Sequence, residues 1–180
     1  MKVMQHLTLA SLLAFGSAFA FAFANAAIAE DISPVKPAAD VQMTSQQELI
    51  DIFFAAAKTG NQEVINEFLK HGFPVDVRNA SGFTPLMMAT YYGHQSTVTS
   101  LLAHGADRCA RDSKGNTALM GALFKMEFSI AKQLRKVDCD ANAQKSRQKT
   151  AAEFAQVIGQ EKQLRQIIAS LEKDSAKGMK

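Results

Sequence analysis

Among the residues that could carry chemistry, the histidines and cysteines come first. His71 and His104 lie 33 residues apart. As ligands of one metal they fail on distance, because stacked helices sit about 8–10 Å apart whereas zinc needs each imidazole nitrogen at about 2.0–2.1 Å. The expected role is electrostatic, two solvent-side rings near helix C-termini whose dipole they suit. His94 follows Gly93 and reads as part of a turn. Cys109 and Cys139 are the only cysteines of the chain. In a 33-residue register Cys139 aligns with Ala106, three residues before Cys109. A bridge needs Cα atoms within about 4.4–6.8 Å, and one repeat step plus that offset exceeds this reach. Cys139 is therefore expected to fill the small slot that Ala106 fills, with a disulfide as the alternative that an oxidising compartment would allow. The sequence contains no G-x-S-x-G, H-E-x-x-H, G-x-G-x-x-G or G-x-x-x-x-G-K. The expectation is a non-enzyme with no catalytic residues, no metal and no cofactor.

The elements that position these residues are legible in the stretch 79–111, NASGFTPLMMATYYGHQSTVTSLLAHGADRCAR. A tight turn at Ser81-Gly82 precedes Thr84-Pro85, where proline opens a helix in its first turn. Gly93-His94 breaks that helix. Val98, Leu101 and Leu102 then mark a second one, which Gly105-Ala106-Asp107 stops. The order T-P-L-x-x-A, G-H, L-L-x-x-G-A-D resembles the ankyrin repeat. Sliding by 33 extends it: Thr84 finds Thr117 and Thr150, Ala89 finds Ala56, Ala122 and Ala155, and Leu101 finds Phe68, Leu134 and Ile167. The fold class expected is all-α, an ankyrin-repeat solenoid of about four helix-turn-helix repeats with short β-hairpin-like loops, at 46–78, 79–111, 112–144 and 145–173. Helices of about ten residues are too short to stand alone in water, so each repeat depends on its neighbours. The alanine column falls where paired helices approach most closely.

Departures from the family pattern also count. Met87 stands where the family has a histidine, and its equivalents are Phe54, Met120 and Glu153. The hydrogen bond from loop to helix start that this histidine makes in the family is thus expected to be missing throughout. The third repeat has Met126 in place of the inter-helix glycine and Asp138 in place of Gly105.

Outside the repeats, residues 1–29 read as a cleaved signal peptide: Lys2, an apolar run over 7–23, then A-x-A sites ending at Ala26 and Ala29, the second preferred. Export to the periplasm is the expected localisation. Residues 30–45, with Pro34 and Pro37, read as a flexible linker. Ser45 and Glu48 have the form of a capping box opening a helix over about 46–58. Residues 174–180 read as a frayed tail.

By the resemblance, binding falls to the hairpin tips and the exposed side of each first helix. The partner-binding residues this implies are Arg78, Phe83, Tyr91, Tyr92, Arg111, Lys114, Phe124, Lys125, Arg147 and Lys149. Aromatics and arginines anchor interfaces, although Tyr91 and Tyr92 could equally cover the inter-helix turn. Charge is polarised: 30–107 carries four Lys/Arg against nine Asp/Glu, 108–149 ten against four, and 150–180 five against four. Such a basic stretch is either a solvated face or a surface for an acidic protein partner. After export nucleic acid is not expected as a partner, nor stable membrane insertion once the signal is cleaved, and the chain is expected to be a monomer. The resemblance implies a protein-binding module in one of two settings: support of a periplasmic antioxidant enzyme such as catalase against oxidative stress, or an immunity protein inhibiting a toxin delivered between bacteria.

Overall fold

Thr84, Thr117 and Thr150 start three helices in the same way. Their side-chain oxygens accept the backbone N–H of Met87 at 3.3 Å, Met120 at 3.4 Å and Glu153 at 3.1 Å, meeting one of the unpaired donors of a first helical turn. The computed structural model describes residues 38–143 and 147–178. Nine α-helices run through them: α1 Ala38–Thr59, α2 Gln62–Lys70, α3 Pro85–Tyr91, α4 Gln95–Ala103, α5 Ala118–Phe124, α6 Phe128–Leu134, α7 Asp140–Ala143, α8 Ala151–Val157 and α9 Glu161–Lys177. There are no strands among the described residues. Neither are there helices long and apolar enough to cross a membrane. The signal peptide expected over 1–29, and residues 30–37 of the expected linker, lie outside the described residues.

Helices α1, α3, α5 and α8 stack as one layer, and α2, α4, α6 and α9 as a second. Within each pair the turn is the same. The N–H of Asn61, His94, Glu127 and Gln160 donates to the carbonyl of Ala56, Ala89, Ala122 and Ala155 at 3.0, 2.9, 2.9 and 2.7 Å. Those alanines are at most 5% exposed, so the paired helices approach through them as the repeat register implies. The residue before each turn takes the left-handed conformation: Gly60, Gly93 and Gly159 at φ 73°, 76° and 73°, and Met126 at φ 60°. Glycine is needed twice over at Gly60 and Gly93, where a Cβ would come within 2.5 Å of the His94 ring and 2.6 Å of the Glu127 carboxylate. Met126 adopts that conformation despite its side chain, and it does so while 62% exposed. The core is continuous through Phe53, Ile65, Leu86, Leu101, Leu123, Ile130 and Leu134, all of them buried. Burying a side chain of this size is worth about 1.5–3 kcal/mol.

The hairpin loops repeat as well. Asn79 and Asp112 each hold two backbone N–H groups of their own turn, Ser81 and Phe83 in one, Lys114 and Asn116 in the other. The Ser113 N–H then donates to the Ser81 carbonyl at 3.1 Å, joining consecutive tips.

Five expectations need correction. Helix α1 begins at Ala38, so Ser45 lies inside it and the stretch from 38 is helical. That segment has neither glycine nor proline, and once a helix is nucleated, extension costs little. Helix α9 runs to Lys177 before Gly178 caps it, so most of the supposed tail is helix. Asp174 on that last stretch pairs with Lys132 of α6 at 2.9 Å, and the Lys132 ammonium holds the Asp174 carboxyl below the usual range. Between the third and fourth pairs the short helix α7 takes the place of a hairpin. Phe73 and Ala106 donate to the carbonyls of Phe68 and Leu101, but after Leu134 the chain turns earlier, with Val137 as donor. The loop-to-helix hydrogen bond is not missing throughout, because Glu153 accepts the Thr150 N–H at 2.9 Å and closes a reciprocal cap. That bond lowers the Glu153 carboxyl below its ordinary range.

The fifth correction concerns the cysteines. Cys109 and Cys139 form a disulfide, with Cα atoms 5.3 Å apart. The three-residue offset that argued against it is the offset the stack itself provides. Asp76 is the register equivalent of Cys109, and its two carboxylate oxygens each accept the Asp107 N–H at 3.1 Å, next to Ala106. A side chain at that position thus reaches the start of the following loop. Cys109 reaches Cys139 by the same route, and Cys139 does not sit in an alanine slot.

Candidate protein-binding groove

The first-helix face carries a groove of about 140 Å³ shared by α3, α5 and α8. Four aromatic rings line it, Phe83, Tyr91, Phe124 and Phe154, together with Met87, Met120, Ala118 and Gly121 and the polar Asp112, Asn116 and Thr117. Local sequence explains each part. Thr84 and Thr117 fix the first turns of α3 and α5, which aims Met87 and Met120, 33 residues apart, along the same side. Phe124 is the last residue of α5 and projects with 56% of its surface exposed. Gly121 lies in the middle of α5, and a Cβ built on it would meet nothing within 4 Å.

Two ammonium groups stand at the rim. Lys125 Nζ lies 4.9 Å from the centre of the Tyr91 ring, and Lys149 Nζ lies 5.7 Å from that of Phe154. Both contacts are cation–π attractions, worth about 0.5–1 kcal/mol at exposed sites. Lys149 also donates to Asn116 Oδ1 at 3.1 Å. The carboxylate in the groove, Asp112, is engaged by the N–H groups of Lys114 and Asn116 and by the Asn116 amide at 3.0 Å.

The predicted site residues divide into groups. Phe83, Tyr91 and Phe124 line the groove, and Lys125 and Lys149 flank it. Tyr92 does not line the groove; its ring packs edge-on against Tyr91 with centres 5.5 Å apart, and it is stacked on His94 with Lys58 Nζ 5.6 Å from its ring. Arg78 and Arg111 have structural work: Arg78 Nη1 donates to the carbonyls of Gly82 at 2.9 Å and Arg111 at 2.7 Å. Arg111 Nη1 likewise donates to those of Gly115 at 2.7 Å and Lys149 at 2.9 Å. Each arginine therefore closes its own hairpin and ties it to the next repeat. Lys114 is exposed at the second hairpin tip, and Arg147 is exposed in the turn before α8, at φ 54°.

Sequence reasoning missed Met87, Met120, Gly121 and Phe154 as groove residues. The signal was available: two methionines replace a polar residue at one repeat position, and Gly121 and Phe154 share another, 33 apart.

His71, His94 and His104 are held within the fold. His94 Nε2 contacts the Lys58 carbonyl at 2.8 Å, linking the first two repeats. His71 and His104 are the C-caps of α2 and α4. The first meets Glu67 at 2.8 Å and the second the Ser100 carbonyl at 2.9 Å. The hydrogen bond from His71 draws the Glu67 carboxyl below its usual range, helped by Lys70. At Asp76 burial pushes the carboxyl up, with the Asp107 charge adding to it and the Asp107 N–H opposing it.

A family model described as ankyrin repeats (3 copies) matches residues 26–112 and 52–146. No curated protein matches the chain significantly.

Proposed function

The chain belongs to the ankyrin repeat family, and from that premise we propose that it is an exported module which binds another protein through the groove face of its first helices. The family is typically a non-enzymatic, protein-binding one, and ankyrin repeats mediate protein–protein contacts. The observation that carries the reading here is the aromatic-walled groove with Lys125 and Lys149 beside it. Exposed aromatic clusters with an adjoining charged rim are what interface cores need. The excess of basic residues over 108–149 favours a partner with an acidic surface, by steering and by complementarity.

Location in the periplasm draws on the signal-like segment 1–29 and is supported by the Cys109–Cys139 bridge, because disulfides persist in oxidising compartments. Within that setting the proposed role is to support a resident antioxidant enzyme such as catalase, as the family resemblance suggests. The test is capture from periplasmic extract by the wild-type protein and by the Tyr91→Ala/Phe124→Ala variant. A single co-purifying enzyme lost in the variant supports the reading. Capture unchanged in the variant refutes the groove as the site. Failure to capture any resident protein, with capture of an incoming toxin instead, replaces the antioxidant role by immunity.

A further inference from the structure

Gly121 is the one groove residue whose identity works against the fold. It sits in the middle of a seven-residue helix, where glycine costs about 0.5–1 kcal/mol relative to alanine. Nothing within the chain demands it: its φ is not in the left-handed region, and an added Cβ would point into open space. At the same repeat position the neighbouring repeats carry Met88 and Phe154. Gly121 lines the groove together with Tyr91, Phe124 and Phe154, and its missing side chain leaves that space open.

The size of that space limits what enters it. A cavity of about 150 Å³ accommodates one benzene ring, and drug-sized ligands need about 300–1,000 Å³. The groove, at about 140 Å³, matches one aromatic side chain and is too small for a cofactor. Its lining is mostly apolar, and its one carboxylate is already engaged by three donors from Lys114 and Asn116. The ammonium groups that flank it are those of Lys125, over Tyr91, and Lys149, over Phe154 and hydrogen-bonded to Asn116.

We propose that the groove over Gly121 seats a single phenylalanine side chain of the protein partner, with acidic residues on both sides of it meeting Lys125 and Lys149. Gly121 is then the specificity-determining residue of the interface. This inference rests on the groove face being the binding face.

The test uses the disulfide-intact protein carrying [13C]methyl-methionine, titrated with the peptide acetyl-Glu-Asp-Phe-Asp-Glu-amide. Saturable shifts of the Met87 and Met120 methyl signals are expected, since both line the groove. Replacing the central phenylalanine by alanine, or the acidic flanks by lysine, should weaken binding about tenfold or more. Gly121→Leu should abolish the shifts by filling the seat. Gly121→Ala, which also strengthens the helix, should weaken binding about two- to threefold while raising Tm. It keeps the test decisive if the leucine variant does not fold. No shift at either methyl, equal binding of the alanine peptide, or unchanged affinity in the Gly121 variants overturns the proposal. If those results accompany a captured partner still lost in Tyr91→Ala/Phe124→Ala, only the phenylalanine seat is wrong. If the partner too is indifferent to that variant, the binding-face reading falls with it.

Discussion

Opening the Cys109–Cys139 bridge, by reduction or by replacing both cysteines with serine, should destabilise the chain substantially and unevenly. The two cysteines are 30 residues apart. The chain-entropy relation gives about 3 kcal/mol for a 15-residue loop and about 4.7 kcal/mol for 100, so about 3.5 kcal/mol is expected here. For a folded unit of this size that corresponds to a fall in Tm of about 10 °C. The loss should concentrate at one end, because a repeat stack couples only neighbours. The bridge ties the loop after α4 to the start of α7, where the regular hairpin is lost. Without it, α8 and α9 keep their packing on α5 and α6 and the loop hydrogen bonds made by Arg111 and Asp140. Differential scanning calorimetry with hydrogen exchange on oxidised, reduced-and-alkylated and double-serine forms checks both parts. Exchange should quicken most in α8 and α9 and least in α1 to α3. A Tm change under about 2 °C, or uniform acceleration along the chain, would refute the reasoning. So would two titratable thiols in the native, unreduced protein.

Three further outcomes are expected. Met126→Gly should raise stability by about 1 kcal/mol in denaturant unfolding, because it relieves a left-handed backbone at a side chain that is 62% exposed. Ala89→Leu should lower stability by about 1–3 kcal/mol through overpacking at a fully buried contact; a neutral result would show that the paired helices can part there. Burial raises the Asp76 carboxyl above its ordinary value, so its charged form is disfavoured in the folded state. That cost is present above the raised folded value and vanishes once the group is protonated in both states. Asp76→Asn should therefore raise Tm at pH 7, and the gain should fade as pH falls toward about 4. A gain independent of pH would contradict this.

The repeat register was legible because a solenoid places the same residue type in the same environment every 33 positions. Thr84, Thr117 and Thr150 cap helices, and the alanine column lies at the helix contacts, as their spacing implied. Met126 in a glycine position was also visible, although its left-handed backbone needed coordinates. What was not legible lies where the register breaks. Arg78 and Arg111 look like binding residues by position and type, yet their guanidinium groups are engaged with carbonyls of the next repeat. The disulfide escaped because alignment within a repeat was taken for proximity between repeats, whereas the loops reach forward along the stack, as Asp76 does to Asp107. Phe83, Tyr91 and Phe124 stood out by their aromatic side chains, whereas Phe154 did not. Gly121, which contributes an absence, left no comparable mark.

The central claim is that the groove face contacts a protein partner. A photo-crosslinking benzoylphenylalanine placed at position 91 or 124 in the expressing bacterium tests it most directly, with position 133 as comparison. Gln133 lies on α6 in the second layer, bonded to Thr99. An adduct of one discrete mass is expected from 91 and from 124, and none from 133. An adduct from 133 alone, the same adducts from all three positions, or none from either groove position would contradict it.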